Sequence, residues 1–143
     1  DDERFFFGWG DILVAPGNYR NVVRASRPAD GALAVNHVED PFAGGAVYVD
    51  EAMRIEGIVE KPAKGTSTTQ WNNAGFGVLG SEIWPIIDAL EPSERGEYEL
   101  PQAVAALVKS GANVRAVPVE GPWFDIGTPA DLDAARAAWA KRT

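Results

Sequence analysis

The sequence predicts an α/β domain on a mixed sheet, and three observations carry that prediction. Short apolar runs bounded by glycine, asparagine or aspartate recur at residues 5–7, 32–38 and 71–79, as expected of strands buried in a sheet. A stripe at helical spacing, Leu100, Val104, Leu107 and Val108, runs up to a Gly111 stop. Residues 123–132 compress a strand end, a glycine turn and a helix start into one stretch. There Gly127 permits the turn, Thr128 is the expected N-cap, Pro129 the first helical position, and Asp131 the acidic partner three residues after the cap. Asp125, at the strand's mouth before that helix, stands where open α/β sheets place ligand and metal chemistry. Locally it reads equally well as a residue that caps the turn.

Bulk composition narrows the functional classes. A length of 143 residues suits one domain with a real core. Net charge is −8, from 21 acidic and 13 basic residues, which leaves no basic patch for nucleic acid or an anionic membrane. No apolar run approaches the ~20 residues of a membrane span, and the N-terminus lacks a signal-peptide pattern, so the chain is expected in the cytoplasm. Cysteine is absent and His37 is the single histidine. Thiolate chemistry, disulfides and any mechanism needing two histidines are therefore excluded.

In chain order, residues 5–7 read as a fully buried strand of a parallel sheet, and a loop over residues 8–13, through Gly10-Asp11, follows. A central strand is not expected to open a domain, so the expectation is that an N-terminal part of the domain lies outside these residues. Asp11 then occupies the same kind of place as Asp125, although an Asp in a glycine turn is common. Tyr19, Val22, Val23 and Ser26 fall at helical spacing, closed by residues 28–31. His37, near the end of the next strand, reads as structural. Residues 46–49 and 54–60 form an expected antiparallel hairpin with Ile55 and Ile58 packed. The second strand delivers Glu60-Lys61-Pro62, where Lys could meet a phosphate and Glu could accept hydroxyl hydrogen bonds, or where the two are a solvated pair. A polar, Thr-rich loop leads to Asn72-Asn73-Ala74-Gly75, small and amide residues that let a polar ligand approach closely. Ser81 is expected to cap a short helix over 82–90, a strand is expected over 113–119, and an Ala-rich helix over 131–141.

Gly10-Asp11, Glu60-Lys61-Pro62, Asn73-Ala74-Gly75, Gly96-Glu97-Tyr98-Glu99-Leu100 and Trp123-Phe124-Asp125-Ile126-Gly127-Thr128-Pro129 stand in the order found in the sugar-1-phosphate nucleotidylyltransferases. The chain resembles that family, which includes glucose-1-phosphate thymidylyl- and uridylyltransferases, along nearly its whole length. The resemblance implies a three-layer Rossmann-like nucleotide-diphospho-sugar transferase fold with a mixed sheet, truncated at the N-terminus. It also implies that Asp11 and Asp125 hold Mg²⁺ and that Lys61 contacts the sugar phosphate. Glu60 would contact sugar hydroxyls, with Gly45, Asn73, Gly75 and Trp123 completing the sugar site. The implied partners are a nucleoside triphosphate and a sugar-1-phosphate. The implied reaction is in-line attack by a sugar-phosphate oxygen on the α-phosphorus with release of pyrophosphate, which needs charge neutralisation and alignment more than a nucleophilic side chain.

Three departures stand out. The family's N-terminal Gly-rich Thr-Arg loop and Pro-Lys-Pro segment, which cradle triphosphate and base, are absent. Gly44 replaces a frequent Tyr, and Pro101-Gln102 replaces Thr/Ser-Asp. The leading expectation is thus the sugar-phosphate and metal half of such an enzyme, inactive alone; the competing one is a non-catalytic sugar-phosphate-binding or regulatory module of the same fold. A metal-dependent glycosyltransferase would show an Asp-x-Asp motif that Gly10-Asp11-Ile12 does not supply. A free strand edge at residues 5–7 is expected to promote homo-oligomers or strand exchange.

Overall fold

The computed structural model describes residues 3–141. Its centre is β6 (Trp71–Leu79), whose residues from Asn72 onward are buried on both faces. β3 (Gly31–His37) lies antiparallel along one side of β6. The other side is shared by β4 (Gly45–Val49), at Ala46 opposite Asn72, and by β1 (Phe5–Gly8), which runs antiparallel to the second half of β6. β5 (Ile55–Glu60) extends the sheet as a hairpin with β4, and β7 (Val114–Pro118) extends it in parallel beyond β3. The sheet is therefore mixed, as expected.

Period-two alternation along β3 divides the core into two layers. Leu33 and Val35 face a cluster with Val104 and Leu107 of α3 (Leu100–Lys109). Ala32 and Ala34 face the opposite cluster with Val22 of α1 (Gly17–Ser26) and Phe76 of β6. Helix, sheet and helix make the three layers. The first expected helical stripe is narrower than read, because Val22 is buried while Val23 is 40% exposed.

The structure corrects the sequence reading at three places. Residues 5–7 do form a strand, but not the buried centre of a parallel sheet. β1 is antiparallel to β6, its residues alternate between half-buried and exposed, and Phe6 is 47% exposed. The physical reason is that Phe5 and Phe7 face the cluster with Val104 and Leu107, whereas Phe6 points to the opposite face, where it meets the Tyr19 and Phe76 rings at its side and is otherwise open. Ile12 and Leu13, read as loop, belong to a strand, β2 (Ile12–Val14), paired antiparallel to β8 (Trp123–Asp125) in a separate ribbon. Ser81 does not cap a helix over 82–90. It lies within a 3₁₀ turn, Ser81–Ile83, that leads into the short α2 (Trp84–Asp88), whose second residue, Pro85, is pre-set for a helix start.

Candidate functional site

The β2–β8 ribbon brings the two strand-end aspartates together. Ile12 pairs with Asp125, and the next rung is the Ile126 amide donating to the Asp11 carbonyl at 3.0 Å. Two tryptophans, one through its indole and one through its backbone, tie this ribbon and the turn before it to β6. Trp123 Nε1–H donates to the Ala74 carbonyl at 2.9 Å, and the Trp9 amide donates to the Gly75 carbonyl at 2.9 Å. Gly75 is required here, since its φ is +86° and a Cβ would collide with the Trp9 ring. Both aspartates are exposed. Partial burial, then the Asp11 charge, then that of Asp131 hold the Asp125 carboxyl above the usual carboxylate range. Asp125 is not the cap of the following helix. In α4 (Pro129–Ala140), Thr128 and Asp131 form the reciprocal capping box, with Asp131 Oδ2 accepting the Thr128 amide at 2.8 Å.

The end of β5 supplies the second half. Glu60 is half-buried and its Oε2 is buried without a hydrogen-bond partner. Burial first, then the Glu99 charge, raise its pKa, against the lowering effect of Lys61 and Arg95. Gly45 makes room for that carboxyl: a Cβ there would stand 3.0 Å from Glu60 Oε2 and 3.3 Å from Asn73 Cβ. Asn73 is 6% exposed, and its Oδ1 accepts the Gly75 amide at 3.1 Å. Asn72 is 7% exposed and donates to Asn36 Oδ1 at 2.9 Å. The Asn72 side chain occupies the space a Cβ at Gly44 would need, so the glycine at this departure from the family pattern is explained by packing.

These segments converge on one cleft of about 300 Å³, walled by Glu60, Lys61, Asn73, Trp123 and Asp125 among others. Of the sequence-predicted residues, Asp11, Gly45 and Gly75 do not line it. Gly45 backs Glu60 and Asn73, Gly75 backs Trp9, and Asp11 acts on Asp125. Asn72 and Trp9 also line the cleft, and so does Asp40, which sequence reasoning missed. Asp40 precedes a Pro and reads as a turn residue. His37 packs edge-on against Trp71 with ring centroids 5.5 Å apart and does not line the cleft. Lys61 is the single cationic residue among those lining it. Among the described residues no three His, Cys, Asp or Glu side chains gather at one metal-binding point. A pair of exposed carboxylates that repel one another still matches a hard cation that takes one or two carboxylates and leaves its other positions to phosphate and water.

The profile of the nucleotidyl transferase family matches residues 1–142. The chain belongs to that family. The glucose-1-phosphate thymidylyltransferase of Streptomyces antibioticus is 32% identical over 135 residues, covering 92% of this chain and 37% of the relative. The UTP–glucose-1-phosphate uridylyltransferase AglF of Haloferax volcanii is 31% identical over 146 residues, covering 99% of this chain and 59% of the relative. In the solved UDP-glucose pyrophosphorylase in complex with UDP-glucose, 58% of that chain superposes on 99% of this one with a TM-score of 0.85 at 19% identity. This last likeness establishes the Rossmann-like nucleotidyltransferase fold. The chain spans about a third to three-fifths of the length of the curated relatives it matches, from 30% to 59%. Among the described residues no helix is long and apolar enough to cross a membrane.

Proposed function

We propose that this nucleotidyltransferase chain carries the sugar-phosphate and metal side of the reaction NTP + sugar-1-phosphate → NDP-sugar + pyrophosphate. The observation that carries the reading is the convergence of Glu60, Lys61, Asn73, Trp123 and Asp125, from three separate segments of chain, on one cleft. Lys61 meets the sugar phosphate as a point charge. The unpartnered Glu60 oxygen and the Asn73 amide receive sugar hydroxyls, and Trp123 supplies an apolar wall. Gly45 and Gly75 keep that wall in register. Asp11 and Asp125 are the residues that would hold Mg²⁺. The ion's chemistry is to neutralise phosphate charge and align the attacking phosphate oxygen with the α-phosphorus.

Since Lys61 is the single cationic residue lining the cleft, the triphosphate is cradled by residues outside it. The 143 residues alone are then expected to bind glucose-1-phosphate without turning it over. Calorimetric titration with glucose-1-phosphate and Mg²⁺, together with a pyrophosphate-release assay using UTP or dTTP, tests this. Lys61→Ala is expected to weaken sugar-phosphate binding by about tenfold or more, since a hydrogen bond to a charged group is removed. Equal affinity of Lys61→Ala and wild type overturns the assignment. Robust pyrophosphate release by these residues alone overturns the division of labour. The regulatory-module reading is favoured instead by binding that persists, without turnover, when the complete protein is assayed.

A further inference from the structure

Lys61 adopts a backbone conformation that side chains resist: its φ is +43°, one of two such values at non-glycine residues in the described chain. Left-handed backbone at a functional lysine persists only when its surroundings over-determine it, and the structure shows what does so. The 3₁₀ turn Pro41–Ala43 and its flanks grip the loop from Lys61 to Gly65 at three points. The Lys61 amide donates to the Gly44 carbonyl at 2.7 Å, and the Gly65 amide donates to Asp40 Oδ2 at 2.8 Å. The Lys64 ammonium lies over the Phe42 ring, 5.1 Å from its centroid. Asp40 is the side chain that closes this clasp across 25 positions of sequence, and it lines the same cleft as Lys61.

We infer that Asp40 is a positioning residue for Lys61: by holding the Gly65 amide it locks the loop whose strained first residue lines the sugar-phosphate cleft. This rests on the proposed function, which assigns Lys61 to the phosphate. It also accounts for an otherwise awkward carboxylate. Asp40 Oδ1 is buried without a hydrogen-bond partner, an unfavourable placement, and the turn it precedes takes no side-chain cap from it. The Gly65 bond is the contact by which Asp40 acts on the rest of the fold. The loop is otherwise exposed, so losing the clasp frees Lys61 without opening the core.

The test compares Asp40→Ala, Asp40→Asn and Gly65→Ala with Lys61→Ala, in calorimetric titrations of the full chain with glucose-1-phosphate and with Mg²⁺ alone. Gly65 has φ +77° and open space where a Cβ would go, so Gly65→Ala strains the far end of the clasp without touching the cleft. Asp40→Ala and Gly65→Ala are each expected to weaken glucose-1-phosphate binding by about tenfold, the scale of a small misplacement of a contact group. Asp40→Asn, whose amide oxygen still accepts the Gly65 amide, is expected to restore affinity to within about twofold of wild type. Combining either clasp variant with Lys61→Ala adds nothing further, because the clasp acts through that lysine. Mg²⁺ binding is unchanged throughout, which a general loss of structure would not allow. Wild-type affinity in Asp40→Ala, or additivity with Lys61→Ala, overturns the inference. Should Lys61→Ala itself bind like wild type, it is the functional reading that fails.

Discussion

Asp125 and Glu60 line the same cleft, and in both the carboxyl is held above its usual range by burial first and a neighbouring acid second, yet the rest of their surroundings differ. Asp125 is exposed, and the charged groups acting on it are Asp11 and Asp131, both acidic. Glu60 is half-buried with one oxygen buried and without a hydrogen-bond partner, and Lys61 and Arg95 stand against the acids Glu99 and Glu97 around it. The first end of the cleft lacks positive charge; the second lacks hydrogen-bond donors. A cation relieves the first and hydroxyl groups relieve the second. One ligand with a phosphate between a metal and a sugar ring serves both, which is why the difference between the two carboxyls is more informative than either alone.

The largest expected effect comes from removing the spacer that holds the two ends in register. Gly75 sits where β6 meets the Trp9 ring, between the ribbon that carries Asp125 and the strand that carries Asn73. In Gly75→Ala the added Cβ meets both a left-handed φ and the ring. Those terms together cost about 2–4 kcal/mol. Thermal unfolding is expected to fall by about 5–15 °C for a domain of this size, with sugar-phosphate and Mg²⁺ binding lost together. Loss of one with the other intact would mean that the ends are independent sites.

An intermediate effect separates the two carboxyls through pH. A carboxyl whose folded pKa is raised keeps, in the folded chain, a proton that the unfolded chain has released. Asp125 and Glu60 therefore both make stability fall as pH rises from about 4 through their raised values, and above those values the loss is complete. Asp125→Asn is expected to remove its share of this slope, to raise the melting temperature near neutral pH, and to abolish the stabilisation given by Mg²⁺. Saturating Mg²⁺ in wild type should flatten the same share while leaving that of Glu60, which Glu60→Gln removes instead. Melting curves from pH 4 to 7.5, with and without Mg²⁺, read out the difference. A slope that Mg²⁺ removes entirely would show that Glu60 responds to the metal end and that the contrast is false.

The contrast was only partly legible in the sequence. Asp11, Glu60, Lys61, Asn73 and Asp125 stand out because a polar residue at the end of an apolar run is conspicuous whatever lies beside it. The three-layer order follows from the alternation at residues 32–35 and the stripe on α3, which are local patterns. The misread parts depend on partners distant in sequence. Residues 12–14 are a strand because residues 123–125 lie beside them. Phe6 looks buried by composition, but its exposure depends on what packs over its face of β1. Asp40 and Gly65 are both unremarkable turn residues until a hydrogen bond joins them, and the raised φ of Lys61 has no signature in its side chain.

The smallest expected effect lies at the start of α4, where Asp131 does two jobs: it closes the capping box with Thr128 and adds to the negative field at Asp125. Thr128→Ala removes the hydroxyl that donates to Asp131 Oδ2 at 2.7 Å and accepts its amide at 3.3 Å. The cost is about 1 kcal/mol, typical of a lost N-cap, or about 2–4 °C in melting temperature. The capping box is exposed and Asp131 remains. Sugar-phosphate affinity should therefore be untouched, and Mg²⁺ affinity should change by no more than about twofold, since exposed charges interact weakly. Thr128→Ser should restore the melting temperature. If Thr128→Ala instead weakened Mg²⁺ severalfold at unchanged sugar-phosphate affinity, the helix start would belong to the metal end. Asp131 would then be the third carboxylate there, and the negative end of the cleft would extend beyond the strand-end pair.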